Sequence, residues 1–338
     1  MAGALTSPTE TQPIVAIACG GTGGHLFPGL AVGLRLRSYG CRVVLLISSK
    51  EVDRQAVQGV KGMEIVTLPA VGLVRGGMLA FARGFLRSYR VSKDAFRRHF
   101  PQAALAMGGF TSAAPIVAAK RLGSRTFLHE SNSIPGRANR WLSRVVDQAF
   151  VGFPAAAARL HTRRVLATGT PVRPQFQPRE GAACRQALGL APERPAVCVL
   201  GGSQGASGIN QLIVKSLPKL RSTFPHWQWI HLTGVSEFET VKSAYAAASV
   251  DAVVFPFLSE MELALGAASA AVSRAGASSL SELAAMRVPA VLIPYPAAAD
   301  DHQSFNARAF CDSGAARMLP QGGATTETLV ETLQPLVE

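Results

Sequence analysis

The 338-residue chain is short of acids and of aromatic rings, and both shortages narrow what it does. Asp and Glu number 21 against 34 Lys and Arg, a formal charge of +13 that points to an anionic partner: nucleic acid, anionic lipid or a phosphorylated substrate. With 3 Trp and 4 Tyr there are few rings to interleave with the basic side chains as base-stacking platforms, and no zinc-finger or RNP-type motif occurs, so no nucleic acid is expected. The 5 cysteines are scattered and form no Cys-x-x-Cys pair, which argues against a disulfide framework and for small core residues in a reducing compartment. No stretch approaches the ~20 apolar residues of a membrane span, so any membrane contact is peripheral. Asp300-Asp301-His302-Gln303 has no second cluster of ligands elsewhere, and adjacent side chains rarely converge on one ion; neither a metal nor a cofactor is expected. The first thirteen residues are polar with two prolines, lack the apolar centre of a signal peptide, and are expected to form a flexible tail over 1–13.

What the chain does have is glycine in two revealing places. Ile14 to Ala18 is an apolar run of strand length that breaks into Gly20-Gly-Thr-Gly-Gly-His25 and resumes with apolar residues at helical spacing, stopping at Gly40. Strand, tight loop and helix in that order suit an anion, because glycines let the backbone approach a ligand and the helix presents unpaired N–H groups. The spacing is neither a dinucleotide fingerprint nor a P-loop, and on its own the loop is a weak signal, with a structural tight turn as the lesser alternative. Ala196 to Leu200 followed by Gly201-Gly-Ser-Gln-Gly-Ala-Ser-Gly208 and a helix from Ile209 to Leu220 repeats the arrangement.

Strand-like segments at 42–48, 105–107, 126–129, 149–151, 229–232, 252–255, 268–272 and 289–294 alternate with helices, the rhythm of parallel sheets covered by helices. A Pro-rich passage from Gly169 to Pro178 interrupts it. The expected organisation is a first Rossmann-like domain over 14–170, a linker over 171–178 and a second such domain over 179–338. Ligands of open α/β sheets bind at the carboxyl ends of strands, so the two glycine loops are expected on one cleft between facing domains.

Two further features have both a plain and a functional reading. Glu282, in the first turns of a helix after Arg274-Ala-Gly-Ala277, is either a favourable partner for the helix dipole or a carboxylate that accepts two ribose hydroxyls. Between Met78 and Phe96, Met78, Phe81, Ala82, Phe85, Tyr89 and Phe96 project to one side of a helix, and Arg83, Arg87 and Arg90 to the other with Arg97 and Arg98 beyond. That is the pattern of a solvated basic face and also of a helix lying on an anionic membrane surface; with only Asp94 as an acid in the window, membrane contact is favoured, through Phe81, Arg83, Phe85, Arg87 and Arg90.

Taken together, Gly20-Gly-Thr-Gly-Gly-His-Leu-Phe-Pro-Gly29, His129-Glu-Ser-Asn132, Gly169-Thr-Pro-Val-Arg173, Gly201-Gly-Ser-Gln-Gly-Ala206, Arg274-Ala-Gly-Ala277 with Glu282, and Asp301-His-Gln303 with Asn306 resemble, in order, the motifs of the MurG family of UDP-N-acetylglucosamine:lipid I N-acetylglucosaminyltransferases. The resemblance implies a GT-B fold and an inverting transfer of GlcNAc from UDP-GlcNAc to the MurNAc C4 hydroxyl of lipid I, giving lipid II for peptidoglycan synthesis. It implies a peripheral enzyme on the cytoplasmic face of the cell inner membrane, with UDP-GlcNAc and lipid I as substrates and cell-wall synthesis and division proteins as partners. Residue by residue, it implies contacts from Thr22, Gly23, Gly24 and Asn132 to the donor sugar or diphosphate, from Arg173 and Ser203 to the diphosphate, from the Leu258 backbone to uracil, from Ala277, Ser278 and Glu282 to uridine, and from Gln303 to the GlcNAc hydroxyls.

An inverting displacement needs one base opposite the departing UDP, and His25 is the candidate. Thr170 departs from the family's usual Asn, and only a short tail is expected after Asn306, where the family continues into helices. Two other readings compete: a UDP-GlcNAc epimerase of the same fold, which would form UDP-ManNAc without lipid, and a non-catalytic membrane recruiter, which would bind UDP-GlcNAc without transfer.

Overall fold

The structure, a computed structural model, describes residues 12–70, 77–202 and 205–337. They form two compact units, one made of the described residues up to 130 with 136–150 and 160–166, the other of 131–135, 151–159 and the described residues from 167 onward. The chain passes between the units more than once, whereas the sequence suggests a single crossing in the Pro-rich passage.

The first unit alternates β1 (Ile14–Ala18), α1 (Gly23–Ser38), β2 (Arg42–Ser48), α2 (Glu51–Val57), β3 (Glu64–Leu68), α3 (Met78–Arg98), β4 (Ala103–Ala106), α4 (Ala113–Arg121), β5 (Arg125–Glu130), α5 (Arg137–Leu142), β6 (Gln148–Val151) and β7 (Val165–Ala167). The strands lie in the order β3-β2-β1-β4-β5-β6-β7, and β1 pairs in parallel with both β2 and β4. Alternate residues of each strand go to opposite faces. Ala16, Ala18, Val44 and Leu46 pack with Phe96, Ile116 and Leu142 on one face, and Ile17, Val43, Leu45 and Ile47 with Leu26, Leu30 and Met63 on the other. Covering by helices on both faces is what a parallel sheet requires.

α3 differs in detail from its sequence projection. Its inward stripe is built from Gly84, Ser88, Ser92, Ala95 and Phe96, small residues that let it lie close to the Ala-rich α4. Phe81, Phe85 and Tyr89 flank this seam half-buried, while Met78 and Ala82, expected on the apolar side, are exposed. Leu79 and Leu86 join Met78 outside, at 75%, 55% and 72% exposure, among the exposed Arg83, Arg87 and Arg90, so the outer face mixes apolar and basic side chains.

In the second unit come α6 (Gly181–Ala187), β8 (Ala196–Leu200), α7 (Ser207–Thr223), β9 (Gln228–Leu232), α8 (Phe238–Ala247), β10 (Ala252–Phe255), α9 (Met261–Ala267), β11 (Ala270–Ser273), α10 (Ala277–Met286), β12 (Ala290–Leu292), α11 (His302–Asp312), β13 (Ala316–Met318) and α12 (Thr326–Val337). The six strands lie in the order β10-β9-β8-β11-β12-β13. The chain beyond Asn306 is therefore more than a tail: β13 pairs with β12, and Leu329, Val330 and Leu333 of α12 are buried against Trp229 and Ile213. The expected linker is likewise part of the fold, since Phe176 is buried in this unit's core. At the other end, the Pro13 carbonyl accepts from the Arg42 N–H, so the ordered chain already includes the end of the expected tail; residues 1–11 lie outside the described residues.

His231, the fourth of the five residues of β9, is fully buried, with Nε2 3.0 Å from Asn210 Oδ1 and Nδ1 3.2 Å from the Tyr245 hydroxyl. Burial pushes its pKa down to about 3, so the fold holds it neutral while the unfolded chain takes up a proton below its ordinary value of 6.5. Stability contributed by neutral His231 is thus present above pH 6.5 and lost as the pH falls toward 3. Replacing His231→Gln is expected to flatten the acid-side loss of stability by about 1 kcal/mol per pH unit between pH 4 and 6, measured by urea denaturation of both proteins across that range.

Candidate active site

In the first unit the chemistry gathers at the carboxyl end of β1. Gly20 and Gly21 follow it, and Gly21 has φ +111°, a conformation open to glycine and strained for other residues. A side chain at Gly20 would run into the backbone of Ile47 and Ser48, so β2 and the loop lie in direct contact. Thr22, extended at φ −156° and ψ 156°, precedes α1, and its carbonyl accepts from the His25 and Leu26 N–H groups. Its hydroxyl does not cap the helix; it lies 3.0 Å from His25 Nδ1. Thr22, Gly23, Gly24 and His25 are thus one continuous turn.

The His25 ring is half-buried and rests on the backbone of Gly108 and Gly109, which follow β4: a Cβ on Gly108 would come within 2.9 Å of His25 Nε2. Beside Gly108 lies Asn139, whose amide donates to Glu130 Oε2 at 2.9 Å and to the His129 carbonyl at 3.1 Å. The same Glu130 oxygen accepts the Gly136 N–H at 3.0 Å. Glu130 and Asn139 therefore fix the floor on which His25 stands.

In the second unit β8 ends at the other glycine loop, where Gly205 packs on the Thr233 carbonyl; Ser203 lies outside the described residues. Both α7 and α10 start without a side-chain cap, from Ala206 and Gly276, the kind of helix start that suits an anion. Ala277 and Ser278 open α10, one turn before Glu282. Arg173 Nη2 lies 3.6 Å from Glu282 Oε1, with both side chains mostly buried, and the guanidinium sits 4.9 Å from the Phe176 ring centroid. Leu258 follows β10, half-buried against the core that also holds α10.

Asn132 and Gln303 meet the same turn. The fully buried Asn306 accepts from the Ser133 N–H at 2.8 Å and donates to Asn132 Oδ1 and the Ala275 carbonyl, each at 3.1 Å. Gln303 Oε1 accepts the N–H groups of Ala275 and Tyr295 at 3.2 and 2.9 Å. Asp301 takes the Ser304 hydroxyl and His302 the Ala299 carbonyl, so the acidic run is spent on its own turn. Among the described residues no group of three His, Cys, Asp or Glu is placed to hold a metal ion.

Residues 15–151 match the glycosyltransferase family 28 N-terminal domain and 196–338 its C-terminal domain. The chain is 37% identical over 337 residues to a UDP-N-acetylglucosamine--N-acetylmuramyl-(pentapeptide) pyrophosphoryl-undecaprenol N-acetylglucosamine transferase of Shewanella amazonensis, covering 97% of this chain and 89% of that one. The chain belongs to the MurG family. The crystal structure of Acinetobacter baumannii MurG superposes with a TM-score of 0.74 at 28% identity, covering 97% of this chain and 91% of that one. The two-unit α/β architecture is accordingly the GT-B fold of a glycosyltransferase. A putative UDP-N-acetylglucosamine 2-epimerase from Listeria monocytogenes shares the fold, with a TM-score of 0.69 at 13% identity over 97% of this chain and 88% of that one. At that identity it lends no support to the epimerase alternative.

Of the MurG-type motif residues, the structure joins Thr22 to His25, Arg173 to Glu282, and Asn132 to Asn306. Thr170 donates its hydroxyl to the Ser131 carbonyl, so the departure from Asn still ties the motif to the loop after β5. The sequence reading missed Asp53 and Lys50, whose bonds to Gly21 span 32 and 29 residues, and Asn139, whose amide reaches back to His129 and Glu130; a lone acid, base or amide gives no spacing signal.

Burial pushes the Glu282 pKa up to about 7, against the attraction of Arg173, and the Glu262 carboxylate adds to the rise. A folded-state value above the ordinary 4.5 means that the fold keeps the proton longer than the unfolded chain, so stability falls as the pH climbs from 4.5 to 7 and the cost is complete above 7. Glu282→Gln should therefore stabilise the protein at pH 8 by about 1–3 kcal/mol, with little gain at pH 4.5, measured by urea denaturation at the two values.

Proposed function

We propose that this glycosyltransferase moves GlcNAc from UDP-GlcNAc to the C4 hydroxyl of the MurNAc sugar of lipid I, forming lipid II and UDP with inversion at the sugar's C1. Glu282 carries this assignment most directly: a buried carboxylate whose charge costs stability in the free protein is well suited to a ligand with two adjacent hydroxyls, as ribose has. Ala277 and Ser278, at the uncapped start of α10, lie beside it for the uridine and its phosphate, and the Leu258 backbone is assigned to uracil. Ser203, in the second glycine loop, is assigned to the diphosphate.

Bond-making and bond-breaking are concerted. The acceptor oxygen bonds to C1 as the bond from C1 to the phosphate oxygen breaks, and the electron pair leaves with UDP. His25 takes the acceptor proton, its ring set by Thr22 on one edge and by Gly108 and Gly109 on its face. Arg173 and the N–H groups at the start of α7 and α10 meet the charge that grows on UDP, stabilising the transition state more than the bound donor. Thr22, Gly23 and Gly24 orient the sugar–diphosphate. Asn132, held by Asn306, and Gln303, held by the Ala275 and Tyr295 N–H groups, are aimed at the GlcNAc hydroxyls.

The lipid-linked acceptor requires access to a membrane. No described helix is long and apolar enough to cross one. The outer face of α3 offers Met78, Leu79 and Leu86 among Arg83, Arg87 and Arg90, which supports peripheral binding to an anionic surface, on the cytoplasmic side where UDP-GlcNAc is found. Phe81 and Phe85, half-buried beside the α4 seam, brace this face. Cell-wall synthesis and division proteins are the partners that such an activity would work beside.

Radiolabelled transfer from UDP-GlcNAc to a lipid I analogue tests the assignment; an absence of labelled lipid II would overturn it. In the same assay His25→Ala is expected to lower turnover by about 10²–10⁴-fold while UDP affinity stays close to wild type, and equal losses in both would remove His25 from the role of base. Reversing Arg83, Arg87 and Arg90 to Glu is expected to weaken sedimentation with vesicles of phosphatidylglycerol without changing UDP binding.

A further inference from the structure

Asp53 is wholly buried, 0% exposed, although it belongs to a short surface helix and no motif includes it. One of its oxygens, Oδ2, accepts the N–H of Gly21 at 2.7 Å, the N–H of Ser48 at 3.0 Å and the Ser48 hydroxyl. The other, Oδ1, is buried without a hydrogen-bond partner. Leaving half a buried carboxylate unsatisfied is costly, so the bonds on Oδ2 have to compensate. Three residues earlier, at the entrance to α2, Lys50 Nζ donates to the Gly21 carbonyl at 2.9 Å and lies 5.4 Å from the centroid of the Phe110 ring. Gly21 is thus gripped from both sides by one turn of chain, its N–H by an acid and its C=O by a base.

That grip fixes the two peptide planes on either side of the Gly21 Cα, at a residue that adopts φ +111° and, lacking a Cβ, has more rotational freedom than any other residue type. The next residue is Thr22, whose carbonyl starts α1 and whose hydroxyl meets His25 Nδ1. A rotation at Gly21 therefore moves the start of α1 and the Thr22 hydroxyl together.

We propose that Asp53, with Lys50 as its counterpart, is a positioning residue that holds Gly21 so that Thr22 presents the His25 ring to the acceptor. The proposal rests on the assignment of His25 as the base. A merely structural Asp53 would lower stability and leave the chemistry alone. A positioning Asp53 lowers turnover far more than UDP affinity, because the uridine groups Ala277, Ser278 and Glu282 belong to the other unit, whereas the loop from Thr22 to Gly24 meets only the sugar–diphosphate.

The test compares wild type, Asp53→Ala, Asp53→Asn and Lys50→Met in the full chain. Turnover on a lipid I analogue, KM for UDP-GlcNAc and UDP affinity are measured together with amide hydrogen exchange of the peptide spanning 19–26. Asp53→Ala is expected to lower kcat by about 10- to 100-fold, with UDP affinity held within about twofold and KM for UDP-GlcNAc rising by less than kcat falls, and to speed exchange in the loop. Asp53→Asn, which keeps an acceptor oxygen, should lie between Asp53→Ala and wild type, and Lys50→Met should show a smaller fall in the same direction. Should Asp53→Ala fail to fold, Lys50→Met decides, since it removes the second anchor from an exposed position. Unchanged kcat in variants that fold would overturn the proposal, whether or not the loop exchanges faster. If wild-type protein transfers no GlcNAc, the assigned reaction fails, and loop exchange alone then decides whether Asp53 and Lys50 restrain Gly21.

Discussion

Because β1 pairs in parallel with both β2 and β4, and β8 with both β9 and β11, the loops after these strands leave from one edge of each sheet. In each unit the strand order turns about the first strand, so the glycine loop sits where neighbouring connections run apart and leave a crevice. The residues assigned to catalysis and ligand binding owe their places to that arrangement. Gly20 to His25 follow β1, Gly108 and Gly109 follow β4, and Glu130 ends β5; in the second unit the turn from Arg274 follows β11 and Tyr295 follows β12. Helix N-termini face the same edge, which suits it to anions.

Buried polar groups are concentrated along these edges, and each is balanced differently. Arg274 is buried yet donates to the Ile293 and Pro294 carbonyls and to Gln321, tying the turn before α10 to the end of β12. Glu130 spends one oxygen on Gly136 and Asn139. His231 is kept neutral between Asn210 and Tyr245. Glu282 is the group left most costly, with one cation nearby and a second carboxylate disturbing it. The fold tolerates that cost at Glu282, the residue assigned above to the ribose.

Strands with a sustained apolar run were the most legible from sequence: Arg42–Ser48 and Ala196–Leu200, buried on both faces, and the half-buried edge strand Ala252–Phe255 appear with the bounds that their runs suggest. The edge strands β3 and β13 were not. β3 is only half-buried and β13 has three residues, so neither shows a sustained apolar run. The site was legible where glycine, a helix start and an acid fall within a few residues of one another. It was illegible where the contact spans the fold, as from Asp53 to Gly21, 32 residues apart, or from Asn306 to Asn132, 174 apart. In α3, the small residues at the α4 seam reversed the usual inference from an apolar stripe, since close helix approach, rather than bulk, sets the buried side.

Asn306 bonding to Asn132 and Ser133 also bears on how the protein is to be taken apart. Residues 131–135 and 151–159 belong with the second unit although the first unit's chain surrounds them in sequence. A fragment cut at the Pro-rich passage would leave the second unit without the peptide that fills the Asn306 amide and would give the first unit a loop with no one to bind. Neither piece inherits a finished surface. Dissection by truncation would thus report on damage at the cut, and a faithful separation of the halves calls for a permuted or intein-joined chain that carries those short stretches with the unit they serve.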